Sequence, residues 1–69
     1  MREFRERLLE KYNILINELE IIDSECHAFL NEANSNGNIS ELDMAICMAF
    51  AKENHRRLQF AIAERETLN

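Results

Sequence analysis

The stretch Asn34-Ser35-Asn36-Gly37-Asn38-Ile39-Ser40-Glu41-Leu42-Asp43 decides the fold, because it combines signals that end one helix and begin another. Gly37 is the only glycine in a chain that has no proline. Glycine readily adopts the left-handed backbone conformation that ends many helices. Ser40 is a favoured N-cap residue, and Asp43, three positions later, resembles the acidic member of a capping box. The stretch therefore predicts a short turn between two helices.

The two predicted helices occupy most of the chain. We place the first helix at about residues 3–33, the turn at 34–40 and the second helix at about 41–66. Helices joined by so short a connection are antiparallel neighbours. The predicted fold class is thus all-α, with a single antiparallel helical hairpin over residues 1–69.

The first helix carries an apolar stripe whose members alternate steps of three and four. Written as a heptad, positions a and d are occupied by Tyr12, Leu15, Leu19, Ile22, Cys26, Phe29 and Ala33. Such a stripe predicts the seam that contacts the second helix. Leu9, Ile16 and Leu30 fall at the adjoining e position and widen it. Ile14 and Ile21 lie off this face, either as a second contact or as isolated surface residues.

The second helix begins with a segment, residues 42–51, that is apolar almost all round. A helix that is apolar on every side is buried on more than one side, and a single partner helix cannot cover it. We therefore expect two hairpins to form a homodimeric four-helix bundle. The predicted dimer-interface residues are Leu42, Met44, Ala45, Ile46, Met48, Ala49 and Phe50.

Charge is distributed unevenly around a net value of -5. Residues 12–51 contain seven acidic residues and no Lys or Arg, whereas residues 1–11 and 52–69 each contain four bases and three acids. A chain folded at Gly37 is therefore acidic at its turn end. That end is either a solvated tip that aids solubility or a docking site for a basic protein surface. The predicted partner-binding residues are Asp23, Glu25, Glu32, Glu41 and Asp43.

No group of residues has the spacing of a catalytic or metal site. The chain lacks Cys-x-x-Cys, His-x-x-x-His and Glu-x-x-His motifs, and Glu25, Cys26 and His27 are consecutive, so they point to different faces of a helix. We interpret Cys26 and Cys47 as apolar packing residues and expect His55 to be half-buried at the seam. The chain is predicted not to be an enzyme and to use no cofactor and no metal.

Arginine-rich segments at the open end of the hairpin raise the alternative of nucleic-acid binding. Arg56 and Arg57 lie at mid-height, and the open end carries Arg2, Arg5, Arg7, Lys11 and Arg65. Acidic residues are interleaved with these bases, so we expect them to form ion pairs on solvated helices rather than a continuous basic face.

The N-terminus lacks the apolar core of a signal peptide, and the longest apolar run, residues 44–51, is eight residues long. That is far below the about 20 residues that span a bilayer. Two cysteines are also too few for a secreted disulfide framework. We predict a cytoplasmic protein with no membrane partner. Its predicted function is that of a small non-enzymatic protein-interaction module, such as a regulator, adaptor or inhibitor. The alternative is a regulator that contacts RNA or DNA through the open end.

Overall fold

The computed structural model describes residues 2–37 and 39–69, and the side chain of Arg2 is outside the described part. Asn38 of the predicted turn and the guanidinium of Arg2 thus lie outside the described residues. The chain forms two helices, α1 (Arg2–Asn36) and α2 (Glu41–Leu68), which pack along each other. The hairpin measures 53 × 14 × 12 Å. The predicted all-helical hairpin is confirmed, and each helix extends two or three residues beyond its predicted C-terminal end.

The turn uses the signals that its sequence indicated. Gly37 has φ 63°, and its N–H donates to the carbonyl of Ala33 at 3.0 Å, which ends α1 in the αL motif. Ser40 has extended backbone angles, and its Oγ accepts a hydrogen bond from the Asp43 N–H at 3.1 Å. This N-cap satisfies one of the backbone donors that a helix start leaves free.

The apolar core of the hairpin is small and lies near its middle. Within the described residues the buried apolar side chains are Ile16, Leu19, Leu58 and Ala61, with Tyr12 and Ile62 packed against them. The turn half of the hairpin, described except for Asn38, contains no buried residue. Small seam residues at that end, such as Cys47 and Ala51, leave its larger apolar side chains uncovered.

The predicted a/d seam of α1 is displaced by one row. Ile16, at position e, is only 3% exposed, whereas the d residues Leu15 and Phe29 are 43% and 47% exposed. The apolar stripe of α1 spans three rows, which is wider than one partner helix can cover. Helix α2 packs on the edge formed by the a and e rows, so the d row is turned to one side of the hairpin.

Asn54 is the one polar residue that is buried among the described side chains, with 6% of its surface exposed. Its Nδ2 donates to the backbone carbonyl of Leu19 at 3.1 Å. Its neighbours along α2, residues 52–57, are all polar, but Asn54 stands seven residues from both Cys47 and Ala61. That spacing puts it on the contact stripe. A buried polar group with one available partner fixes the register of the two helices.

Candidate functional site

One side of the hairpin carries a series of large apolar side chains, with Arg56 and Arg57 beside them at mid-height. Grooves between the two helices run along this side. Two of them share Phe29 and Ile46 near the turn, and a third continues past Leu15 and Phe60 toward the open end. We call this side the apolar face and define it by Leu15, Ile22, Phe29, Ile46, Phe50 and Phe60.

Most residues of the apolar face are exposed to solvent. Phe29, Phe50 and Phe60 are 47%, 57% and 62% exposed, and Leu15 and Ile46 are similarly open. Single exposed apolar residues are common on protein surfaces, but a contiguous row of them marks an interaction site. The arrangement along both helices is therefore a candidate interface.

Charged residues border the apolar face in an ordered way. Along α1 the row next to Leu15 and Ile22 contains Lys11, Glu18, Glu25 and Glu32, spaced by seven residues. The base lies toward the open end and the acids lie from the middle to the turn. The apolar face thus has a basic element at one end of its α1 border and acidic elements along the rest.

The opposite side of the hairpin, the histidine face, carries His27, Met48, Lys52 and His55. Asp23 lies between the two imidazoles, with Oδ2 3.7 Å from Nδ1 of His27 and Oδ1 3.8 Å from Nδ1 of His55. His27 Nδ1 also lies 2.8 Å from the backbone carbonyl of Asp23. Both imidazoles are largely exposed, so the expectation that His55 is half-buried at the seam is wrong: it sits at the edge of the helix contact.

The five acidic residues predicted to bind a partner do not form one cluster. Asp23 is set apart, since its side chain is 22% exposed and faces the histidines, and its Oδ1 has no hydrogen-bond partner among the described residues. Glu25 and Glu32 border the apolar face, Asp43 shares a groove with Glu32, and Glu41 lies beside the turn. Those four are exposed and are referred to below as the acidic turn end.

The seven residues predicted to form a dimer interface are distributed around α2. Ile46 and Phe50 belong to the apolar face, whereas Met48 and Ala45 line grooves on the other side. Met44 is half-buried toward α1, and the remaining two, Leu42 and Ala49, are exposed. The all-round apolar segment therefore presents surface in several directions. The rest of the apolar face comes from Phe60 of α2 and from the d row of α1, which the sequence assigned to the hairpin's own seam.

Four arginines of the open half are engaged with nearby groups. Arg7 pairs with Glu3 at 2.9 Å, and Arg65 donates to the side-chain oxygen of Asn13 at 3.0 Å. Arg56 and Arg57 both bind Glu53 on their own helix. These ion pairs lie within α2 and not across the hairpin, because a spacing of three and four residues brings Glu53 close to both arginines.

These pairings also affect acid–base behaviour. Hydrogen bonding from Arg56 lowers the pKa of the Glu53 carboxyl. Across the hairpin, the phenol of Tyr12 donates to Glu64, and this bond, reinforced by burial and by the negative charge of Glu64, raises the pKa of Tyr12.

The two cysteines are free thiols that line the same groove. Burial, followed by the nearby charge of Asp23, raises the pKa of the Cys26 thiol. A raised pKa reduces the thiolate fraction and with it the nucleophilicity of the sulfur. Among the described residues, no group of three or more His, Cys, Asp or Glu side chains is arranged to hold a metal ion.

Neither helix, over the residues described, has a segment both long enough and apolar enough to cross a membrane. Comparisons with known protein families, with curated proteins and with solved structures gave no match.

Proposed function

We propose that this chain is a non-enzymatic protein-interaction module that acts as a homodimeric four-helix bundle. The observation that carries the proposal is the apolar face: three phenylalanines and neighbouring aliphatic residues, from both helices, lie on one side of the hairpin and are largely exposed. Burying such a face removes apolar surface from water, the main driving force of association between folded proteins.

The small core of the single hairpin supports the same proposal. Only four apolar residues of the described chain are buried, and none of the large side chains is completely buried. Ordering a chain of 69 residues costs on the order of 100 kcal/mol of conformational free energy, so a domain this small usually needs an additional source of stability. A second copy packed on the apolar face would provide it.

A two-fold dimer requires that one surface be complementary to itself. The apolar face meets that requirement, because it extends along both helices and its α1 row repeats every seven residues. Two hairpins that pack by this face would also enclose Cys26 and Cys47, which line its central groove.

The acidic turn end is the surface that we propose for a partner with a basic surface. Glu25, Glu32, Glu41 and Asp43 form no ion pair within the described part of the chain. Unneutralised carboxylates steer a basic protein toward them and disfavour acidic ones. The arginines of the open half, by contrast, are largely occupied by Glu3, Glu53 and Asn13, which favours a protein partner over a nucleic acid.

Matched variants test the proposed interface. Phe29→Glu with Phe50→Glu introduces two carboxylates into the apolar face, and we expect the dimer to dissociate to monomers in sedimentation equilibrium. The control is Ile14→Glu with Ile21→Glu, which alters two residues of similar exposure (57% and 50%) on the side of α1 away from α2. The control is expected to stay dimeric. If the Ile14→Glu and Ile21→Glu variant dissociated and the phenylalanine variant stayed dimeric, the interface would lie on the row of Ile14 and Ile21.

A milder substitution keeps the interface testable if the variant with Phe29→Glu and Phe50→Glu does not fold. Phe50→Ala removes apolar contact area but adds no charge, and it lies at an exposed position of the single hairpin. We expect the dissociation constant to rise at least tenfold, as it does for a central aromatic interface residue, with helix content unchanged by circular dichroism at high concentration. An unchanged constant would contradict the proposed interface.

The acidic turn end is tested by charge reversal. We expect Glu25→Lys, Glu32→Lys and Glu41→Lys together to abolish capture of basic proteins from a lysate of the source cells, with capture by the unaltered chain weakening as salt is raised. The control, Glu3→Lys with Glu10→Lys and Glu66→Lys, makes the same change in net charge at the open end. Partners retained by the control but lost by the turn variant support the proposal, and equal retention by both contradicts it.

A further inference from the structure

We infer that the two copies pair in antiparallel orientation, with the turn of each hairpin beside the open end of the other. This inference rests on the dimer proposed above. It follows from how apolar and charged residues are ordered along the α1 side of the apolar face.

The apolar row of α1 is symmetric when its direction is reversed. It consists of Leu8, Leu15, Ile22 and Phe29, spaced by seven residues. The midpoint between Leu15 and Ile22 is also the midpoint between Leu8 and Phe29, and it lies within one residue of the middle of α1 (Arg2–Asn36). A two-fold axis perpendicular to the helix at that point superposes the row on itself. Leu8 of one copy then meets Phe29 of the other at the same height.

The same axis brings opposite charges together at the border of the face. Lys11 and Glu25 lie on opposite sides of this midpoint. Their distances from it differ by one residue, or about 1.5 Å along the helix. Lys11 of one copy therefore lies at the height of Glu25 of the other, and the two-fold symmetry produces this pair twice. Lys11 has no hydrogen bond or ion pair within the described hairpin, so it is free to form one.

A parallel pairing gives the opposite electrostatic result. If both turns lay at one end, the two-fold axis would run along the helices and place α1 of one copy over α2 of the other, so Lys11 would lie far from the height of Glu25 and their pairing would be lost. The acidic turn ends, which have no compensating bases, would also be side by side. Apolar contacts do not distinguish the two orientations, whereas the adjacent acidic turn ends and the loss of both Lys11–Glu25 pairs disfavour the parallel one.

Antiparallel pairing leaves one unfavourable contact between like charges. Glu18 lies next to the axis and therefore approaches its own copy. Arg56 and Arg57 line a groove of the apolar face at mid-height, and both already bind Glu53. The orientation thus confines like-charge contact to the centre of the face, at the level where a base is present.

Distances between spin labels on the two copies test the orientation. The chain is prepared with Cys26→Ala and Cys47→Ala, and one label is attached through Ser35→Cys at the exposed end of α1. Dipolar spectroscopy is expected to give a distance between labels that approaches the 53 Å length of the hairpin. In a parallel dimer the two labels would be within about 20 Å, given interaxial spacings of 8–10 Å.

A second label site distinguishes a dimer of the wrong orientation from the absence of a dimer. Asn17→Cys places the label at an exposed position close to mid-height, where either orientation gives a short distance across the bundle. A long Ser35 distance with a short Asn17 distance supports antiparallel pairing. Short distances at both sites overturn the orientation but leave the dimer. No distance between copies at either site, together with a monomeric mass, overturns both.

Discussion

Tyr12 and Glu64 join the two helices in the open half of the hairpin through a hydrogen bond from the phenol to the carboxylate. The bond stabilises the protonated phenol, and the charge of Glu64 disfavours the phenolate, so the pKa of Tyr12 is raised. Because the folded pKa exceeds the unfolded one, the bond's contribution to stability is fully present below about pH 10. It is lost as the pH rises through the folded value.

The effect can be measured directly, since Tyr12 is the only tyrosine in a chain without tryptophan. We expect the phenolate absorbance of the folded protein to titrate at a higher pH than in denaturant, and Glu64→Ala to bring the midpoint back toward about 10. Glu66→Ala, an exposed acid on the same helix, serves as the control and should leave the midpoint unchanged. Equal midpoints in folded and denatured protein would contradict the contact.

Asn54 stabilises the hairpin by acting as a hydrogen-bond donor. Its amide donates to the carbonyl of Leu19, and a carboxylate at that position would have no proton to donate. Asn54→Asp is expected to lower the free energy of unfolding by about 2–3 kcal/mol, through the lost bond and a buried charge. Asn17→Asp makes the same chemical change at an exposed site and should have little effect. Denaturant unfolding measures both, and equal losses would mean that Asn54 is not buried.

At the scale of elements, the turn that joins α1 to α2 is determined by local chemistry. Ser40→Ala removes the N-cap bond to Asp43 and is expected to cost about 1 kcal/mol. Gly37→Val should cost more, because Gly37 has φ 63° and a β-branched residue is strained there. Apart from its two chain neighbours, no atom of the described residues lies within 4 Å of a Cβ added at Gly37, so the strain is confined to the backbone. If both variants melt with the parent protein, the turn does not determine the fold.

The helices and their turn could be predicted from the sequence because their signals are local. Gly37 and Ser40 specify the conformation of the residues around them, whatever the rest of the chain does. The helix contact could not be predicted as closely. Positions a, d and e of α1 are mostly apolar, although e includes Asp23, and the choice of the a/e edge depends on the side chains of α2. The burial of Asn54 is masked in the sequence by its charged neighbours, and only its spacing from Cys47 and Ala61 indicates it.

The candidate site was only partly predictable, for a related reason. An all-round apolar segment in α2 indicates that more surface must be covered, but not which side. Only the packed hairpin shows that the d row of α1 completes one face with Ile46 and Phe50. Similarly, Asp23 counts as one more acid in the sequence, whereas its half-buried position between His27 and His55 separates it from the acidic turn end.

At the scale of the whole molecule, antiparallel pairing would have a functional consequence. The two acidic turn ends would lie at opposite ends of a bundle about as long as one hairpin, 53 Å. Such a dimer would present two equivalent docking sites that point away from each other, so that it could bridge two basic partners. A parallel dimer would instead present one concentrated acidic surface.

Sedimentation equilibrium of the unaltered protein at micromolar concentration tests the central claim, that two copies join by the apolar face. The account predicts a mass twice the 8.1 kDa of one chain, with a thermal midpoint that rises with protein concentration because folding and association are coupled. A mass of 8.1 kDa, combined with cooperative unfolding that does not depend on concentration, would contradict it.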